Sequence, residues 1–182
     1  MSLTNLLVPT HRQMLGALRG WLDKAEAQFG AGEAEALLSA RLAPDMFPLA
    51  TQVRFACVQV IEAAHRLRGL PFPARVEELL DEGRNAGEQP GSLAQARARI
   101  DETLALLGGL APDALDMAPD TAVVHELSNG MVFDLTAEQY ARDWALGQFY
   151  FHVMIAYAIL RNAGIALGKA DYVGHLLPYL RQ

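Results

Sequence analysis

The stretch TAEQYARDWALGQFYFHVMIAYAILRNAG, residues 136–164, decides how the rest of the chain is read. It opens on Thr136-Ala137-Glu138-Gln139, the spacing of a capping box, in which a hydroxyl and an amide three residues apart satisfy free backbone N–H groups at a helix start. Tyr140, Trp144, Gln148, His152, Ile155 and Ile159 follow at steps of four and three, which predicts one face of a long helix. Asn162-Ala163-Gly164 ends it. That helix is strongly apolar, yet its face carries Gln148 and His152, one turn apart. Upstream, Val123, Val124 and Leu127 lead into Ser128-Asn129-Gly130, and Met131, Val132, Phe133 and Leu135 follow. Asn-Gly between β-prone runs predicts a small hairpin just before the last long helix.

Three more helices are legible toward the N-terminus. Leu7, His11, Met14, Leu18, Trp21 and Ala25 mark a first helix running to about Phe29, stopped by Gly30. Pro9 marks its first turn or a kink. A short helix is expected over 33–40. The second long helix runs from about Pro48 to Leu67, with Leu49, Val53, Ala56, Val60, Ala63, Ala64 and Leu67 as its apolar face and Asp45 as a candidate N-cap. A polar stretch, Asp81 to Gly91, reads as a long connection. The third helix opens on a second capping box, Ser92-Leu93-Ala94-Gln95, and is stopped by Gly108-Gly109. Four long amphipathic segments predict an all-α fold, a four-helix bundle with the small β-hairpin inserted before its last helix. The link between helices 2 and 3 is long and the next contains the hairpin, so crossovers are expected rather than simple up-down neighbours. Residues 165–182 are too apolar for pure linker and are expected to pack on the body or on a second chain. The whole of 1–182 is read as one domain.

Composition agrees with a folded protein and excludes several classes. Of 182 residues, 52% are hydrophobic and 20% charged, unlike a disordered chain. The net charge of −6 argues against nucleic-acid binding, which needs Lys and Arg to neutralise phosphates. The longest apolar run, Phe149 to Leu160, is shorter than the ~20 residues a membrane span requires, so no membrane partner is expected. A single cysteine, Cys57, and no signal-peptide pattern point to a cytoplasmic protein, with Cys57 an inert buried thiol.

Bundle sites are built from inward-pointing side chains on facing helices. Polar residues on apolar faces are therefore the candidates: His11, Gln52, Gln148 and His152. Three readings are open. They form a self-satisfied buried hydrogen-bond cluster, a weak site for Zn, Ni, Mn or Fe with His152, Gln52 and Gln148 as ligands, or a pocket for a small molecule. The remaining histidines have plainer expectations. His65 lies near a helix end in a surface or capping role, His125 faces solvent from the hairpin, and His175 sits in the tail as an interface residue. Phe149-Tyr150-Phe151 is read as core plus dimer surface. No phosphate-binding loop, dinucleotide fingerprint, nucleophile elbow or zinc-protease motif is present.

Residues 41–49, Arg-Leu-Ala-Pro-Asp-Met-Phe-Pro-Leu, with Gln52-Val53, resemble the signature of an uncharacterised bacterial family within the DinB/YfiT-like superfamily of metalloenzymes. So do Gln148-Phe149-Tyr150-Phe151-His152, Ala156-Tyr157-Ala158-Ile159-Leu160-Arg161, and the closing Leu167-Gly168-Lys169-Ala170-Asp171-Tyr172. The resemblance spans nearly the whole chain. It implies a bundle of irregular helix order, homodimerisation, and a metal-binding histidine triad, one on helix 2 and two spaced four apart on helix 4. Aligned on Leu160-Arg161, those positions fall near Gln52 and on Gln148 and His152, so one of three keeps histidine. Members with the full triad are associated with thiol-dependent transferase chemistry, in which a metal presents a thiolate nucleophile. The functional expectation is a cytoplasmic DinB-like bundle with a degraded triad and a small polar pocket between helices 2 and 4. The alternatives are a metal- and thiol-dependent transferase or hydrolase, and a ligand-binding or purely structural homodimer.

Overall fold

The computed structural model describes residues 2–127 and 129–181; Met1, Ser128 of the hairpin turn and Gln182 of the tail lie outside the described residues. The helices are α1 (Leu3–Phe29), α2 (Ala31–Ala36), α3 (Leu49–Arg66), α4 (Ala74–Arg84), α5 (Leu93–Gly108), α6 (Ala137–Gln139), α7 (Gly147–Asn162) and α8 (Lys169–Tyr172). Strands β1 (Ala122–Glu126) and β2 (Val132–Thr136) pair antiparallel, with His125 opposite Phe133. Both capping boxes form: Ser92 and Gln95 open α5, and Thr136 and Gln139 open α6. Ser2 caps α1, which carries Pro9 in its interior.

Four long helices make the bundle, and their order is irregular, as the link lengths predict. α3 packs on α7 and α5, and α1 packs on the same two. The consecutive helices α1 and α3 therefore lie mainly across a diagonal. Leu18, Trp21 and Leu22 of α1, Val53 and Val60 of α3, Ile100 of α5 and Phe149 and Val153 of α7 share one core. A second cluster, with Leu7, Leu67, Val123 and Tyr140, joins the hairpin to the ends of α1 and α3.

Three expectations about local structure are corrected. The stretch read as a connection is helical through Arg84, because Val76, Leu79 and Gly83 form a narrow stripe that α4 lays on α3. The stripe is easy to miss because one member is glycine: a Cβ at Gly83 would sit 2.3 Å from the Phe55 ring, so only hydrogen fits. Arg54 then ties the short link that remains to α3, donating to Glu82 at 3.0 Å and to the Pro90 carbonyl at 3.1 Å. Asp45 is not the cap of α3. Pro48 holds that position in extended backbone, three residues later, with no side-chain cap bond.

The third correction concerns the last helix. Between α6 and α7, Tyr140–Leu146 is π-helical. An i→i+5 turn holds more residues than an α-turn, so the face drifts. Ala141, Ala145, Phe149, Val153, Ala156 and Leu160 join the core beside Tyr140, His152 and Ile159 of the expected face, while Trp144, Gln148 and Ile155 of that face are only half-buried.

The tail divides in two. Ile165 and Leu167 are buried, Trp21 Nε1 donates to the Asp171 carbonyl, and Lys24 pairs with Asp171 at 3.0 Å. Beyond them Leu176, Leu177, Tyr179 and Leu180 are exposed. No helix among the described residues is long and apolar enough to cross a membrane.

Candidate functional site

Of the four candidate residues, the fold joins two. Gln52 projects from the first turns of α3 and His152 from α7, and their side chains meet at 2.9 Å between Oε1 and Nδ1. The amide oxygen can only accept, so the imidazole carries its proton on Nδ1. Gln52 Nε2 donates in turn to the Phe47 carbonyl at 3.2 Å, which fixes the amide's orientation. Both polar ends of Gln52 are thus used. Burial pushes His152 down to about 4, so the ring is neutral near pH 7. Phe55 and Phe151 each meet it edge-on with centroids 5.4 Å away, and Phe47 packs on Phe55. Phe47 and Phe151 are exposed, so the pair lies under a ring of surface aromatics.

Gln148 and His11 take other roles. Rotated away from the core by the π segment, Gln148 is half-buried and makes no hydrogen bond among the described residues. His11 is buried against the edge of Phe149, 4.6 Å between centroids, with Nε2 unpartnered. Burial pushes it down to about 3, which keeps it neutral.

The residues at the superfamily's metal positions do not suit a first-row divalent ion. The set offers one neutral imidazole and two uncharged amides, and such ions favour imidazole, thiolate or carboxylate. Gln52 Oε1 is engaged by His152, and Gln148 makes no hydrogen bond to the pair. Among the described residues, no three or more His, Cys, Asp or Glu side chains are grouped to hold a metal.

A family described as a domain of unknown function, DUF1993, matches residues 3–173. The chain belongs to the DUF1993 family. Its fold is similar to the crystal structure of a DinB family member protein from Shewanella denitrificans, with a TM-score of 0.76 and 31% identity over 99% of this chain and 96% of that one. No curated protein matches. The expected relationship and the expected fold, a helical protein with a hairpin before its last long helix, are therefore both found.

The other histidines divide. His65 Nδ1 donates to the Ile61 carbonyl at 2.8 Å in the last turn of α3, in keeping with a helix-end role. His125 does not face solvent; it is 1% exposed. Alternation along β1 turns Val123 and His125 inward together, and His125 packs on Trp144 and Tyr140. Cys57 is fully buried, and burial pushes its thiol up to about 12, so it is inert at neutral pH. The residue that sequence reasoning passed over is Glu62. It is 9% exposed and has neither an ion pair nor a hydrogen bond among the described residues. Its signal was present: a carboxylate inside the apolar run Val60-Ile61-Glu62-Ala63-Ala64.

Proposed function

We propose that the Gln52–His152 position is a metal-independent recognition site for a small aromatic molecule carrying one hydrogen-bond donor. In this reading the protein is a binding module rather than a thiol transferase. The observation that carries it is the hydrogen bond between Gln52 and His152. It fixes the tautomer, so Nε2 keeps its lone pair as an acceptor at a defined point. Phe55 and Phe151 meet the same imidazole edge-on, and Phe47 packs on Phe55 beside them. A phenol-like ligand would donate to Nε2 and bury its ring among these side chains.

Phenol itself is the probe. Its calorimetric titration into the purified chain is expected to show saturable binding, weakened by Phe151→Ala and abolished by His152→Leu, and in wild type a saturable shift of the His152 ring resonance. Zn or Ni salts are expected to leave the melting temperature unchanged, since only a ligand of the native state raises it. About one equivalent of metal retained through dialysis would overturn the reading and favour metal-assisted chemistry.

A further inference from the structure

A second region of the molecule carries unspent polar groups in larger number. α3, α4, the hairpin and the π segment bound a cleft of about 640 Å³, a size suited to a small organic ligand. Glu62 and Arg66 of α3 line it, with Phe72, Val76 and Leu80 forming an apolar wall and Trp144 of the π segment opposite. Arg66 has no ion pair among the described residues, and its Nε is buried without a partner. Its guanidinium lies over the Phe72 ring, 4.4 Å from the centroid, which steadies the plane while leaving its edge free to donate. Trp144 Nε1 is likewise buried and unpartnered, and the buried Tyr140 hydroxyl, behind the lining, interacts with Arg66. Native interiors leave few such groups. Here two unpartnered donors, Arg66 Nε and Trp144 Nε1, share the lining of one cleft with the Glu62 carboxyl, and Trp144 sits on a π-helical turn, a local geometry that recurs at functional sites.

We propose that this cleft binds a small organic carboxylate with an apolar body, held by Arg66 beside the Glu62 carboxyl. Arg66 supplies the missing ion pair, and its planar fork matches a carboxylate. The surplus of donors selects an acceptor-rich head group, and the Phe72, Val76 and Leu80 wall selects an apolar remainder. Glu62 sets the pH dependence. Burial pushes its carboxyl up to about 7, against the opposing pull of Arg66. The other charged or titratable neighbours leave that behaviour in place. Glu77 and Arg84 of α4 pair with each other at 3.3 Å, and Glu126 of β1 is exposed at the rim. His125 of β1 is pushed down to about 4 and is neutral, and burial holds the Tyr140 hydroxyl in its neutral form. An incoming anion therefore meets one ionisable like charge at the floor, Glu62, and is accepted when that group is protonated. Each binding event above pH 7 takes up one proton.

The experiment is calorimetric titration of the full chain with phenylacetate, which is ionised throughout, at pH 6, 7 and 8, with benzylamine as the oppositely charged comparison. One-to-one binding is expected, about tenfold tighter at pH 6 than at pH 8, because the protonated fraction of a group titrating near 7 falls about tenfold across that range. Glu62→Gln is expected to bind with no pH dependence, and Arg66→Gln at least tenfold more weakly. If Arg66→Gln does not fold, Arg66→Lys, which keeps the charge but loses the planar fork, is expected to bind several-fold more weakly. His152→Leu is expected to bind phenylacetate like wild type, which separates this cleft from the phenol site. No saturable binding by wild type, binding independent of pH, undiminished binding by the Arg66 variants, or a preference for benzylamine would each overturn the proposal.

Discussion

The Gln52–His152 pair and the Glu62–Arg66 cleft both draw on α3, ten residues apart along one helix, and they treat polar groups in opposite ways. At the first, an amide and an imidazole satisfy each other, and a backbone carbonyl takes the remaining N–H. At the second, a carboxyl, a guanidinium Nε and an indole N–H share one cleft without hydrogen-bond partners among the described residues. The first occupies the position that the superfamily resemblance singles out. The second is where polar groups remain unspent. A paired buried group reports mainly on the stability of the fold, whereas an unpaired one beside a cleft invites a ligand, because its desolvation has already occurred without compensation.

The sharpest way to break this contrast is through pH. Glu62 has a folded-state value near 7, above its unfolded value, so the native state binds the extra proton between about 4.5 and 7. Stability then falls as pH rises through that window, by up to roughly 3 kcal/mol, a figure that follows from about 1.4 kcal/mol per unit. Glu62→Gln should remove this fall, gaining on wild type between pH 5 and pH 8 in urea unfolding. Parallel curves for the two proteins would mean that Glu62 is paired after all.

His152 should act with the opposite sign. Its folded value near 4 lies below its unfolded value, so the unfolded chain takes up the proton first. Stability is fully present above about pH 6.5 and is lost as pH falls toward 4, by about 2 kcal/mol at pH 5. The same urea series on His152→Gln should show a shallower acid loss than wild type.

Two smaller effects sharpen the comparison. Gln52→Leu leaves the His152 Nδ1–H without an acceptor and should cost about 1–3 kcal/mol at pH 7, read as a lower denaturation midpoint at unchanged slope. Gln148→Ala should stay within about 0.5 kcal/mol of wild type, since the side chain is half-buried and unbonded. A larger loss there would restore Gln148 to the site.

What the sequence disclosed follows from periodicity. The apolar stripes of α1, α3 and α5, the two capping boxes and the Asn129-Gly130 turn are local signals, and each stands close to where it was read. α4 is hard to read because one of the three members of its stripe on α3, Gly83, carries no hydrophobic mark. Gln148 was placed on the core face because a regular α period was carried through residues 140–146, where the backbone is π-helical. Glu62 and Arg66, four apart, carry no mark in the sequence of the cover that they receive. They are covered only because the hairpin and the π segment, some sixty to eighty residues later, fold over that side of α3. His125 was misplaced for the same reason, since the hairpin's inner side has a helix face to cover.

The irregular helix order also has a temporal side. α3 packs most extensively on α7, and the Gln52–His152 bond spans 100 residues. During synthesis, α3 emerges and must wait for more than half the chain before its main partner exists. Until then its apolar face has α1, α4 and α5 to lean on but lacks its most extensive partner. Contacts of such long sequence separation slow folding and leave sticky intermediates exposed. The ion pairs that link α4 to α5, with Arg99 holding both Glu82 and Glu102, close over a short stretch of chain and so need not wait for α7.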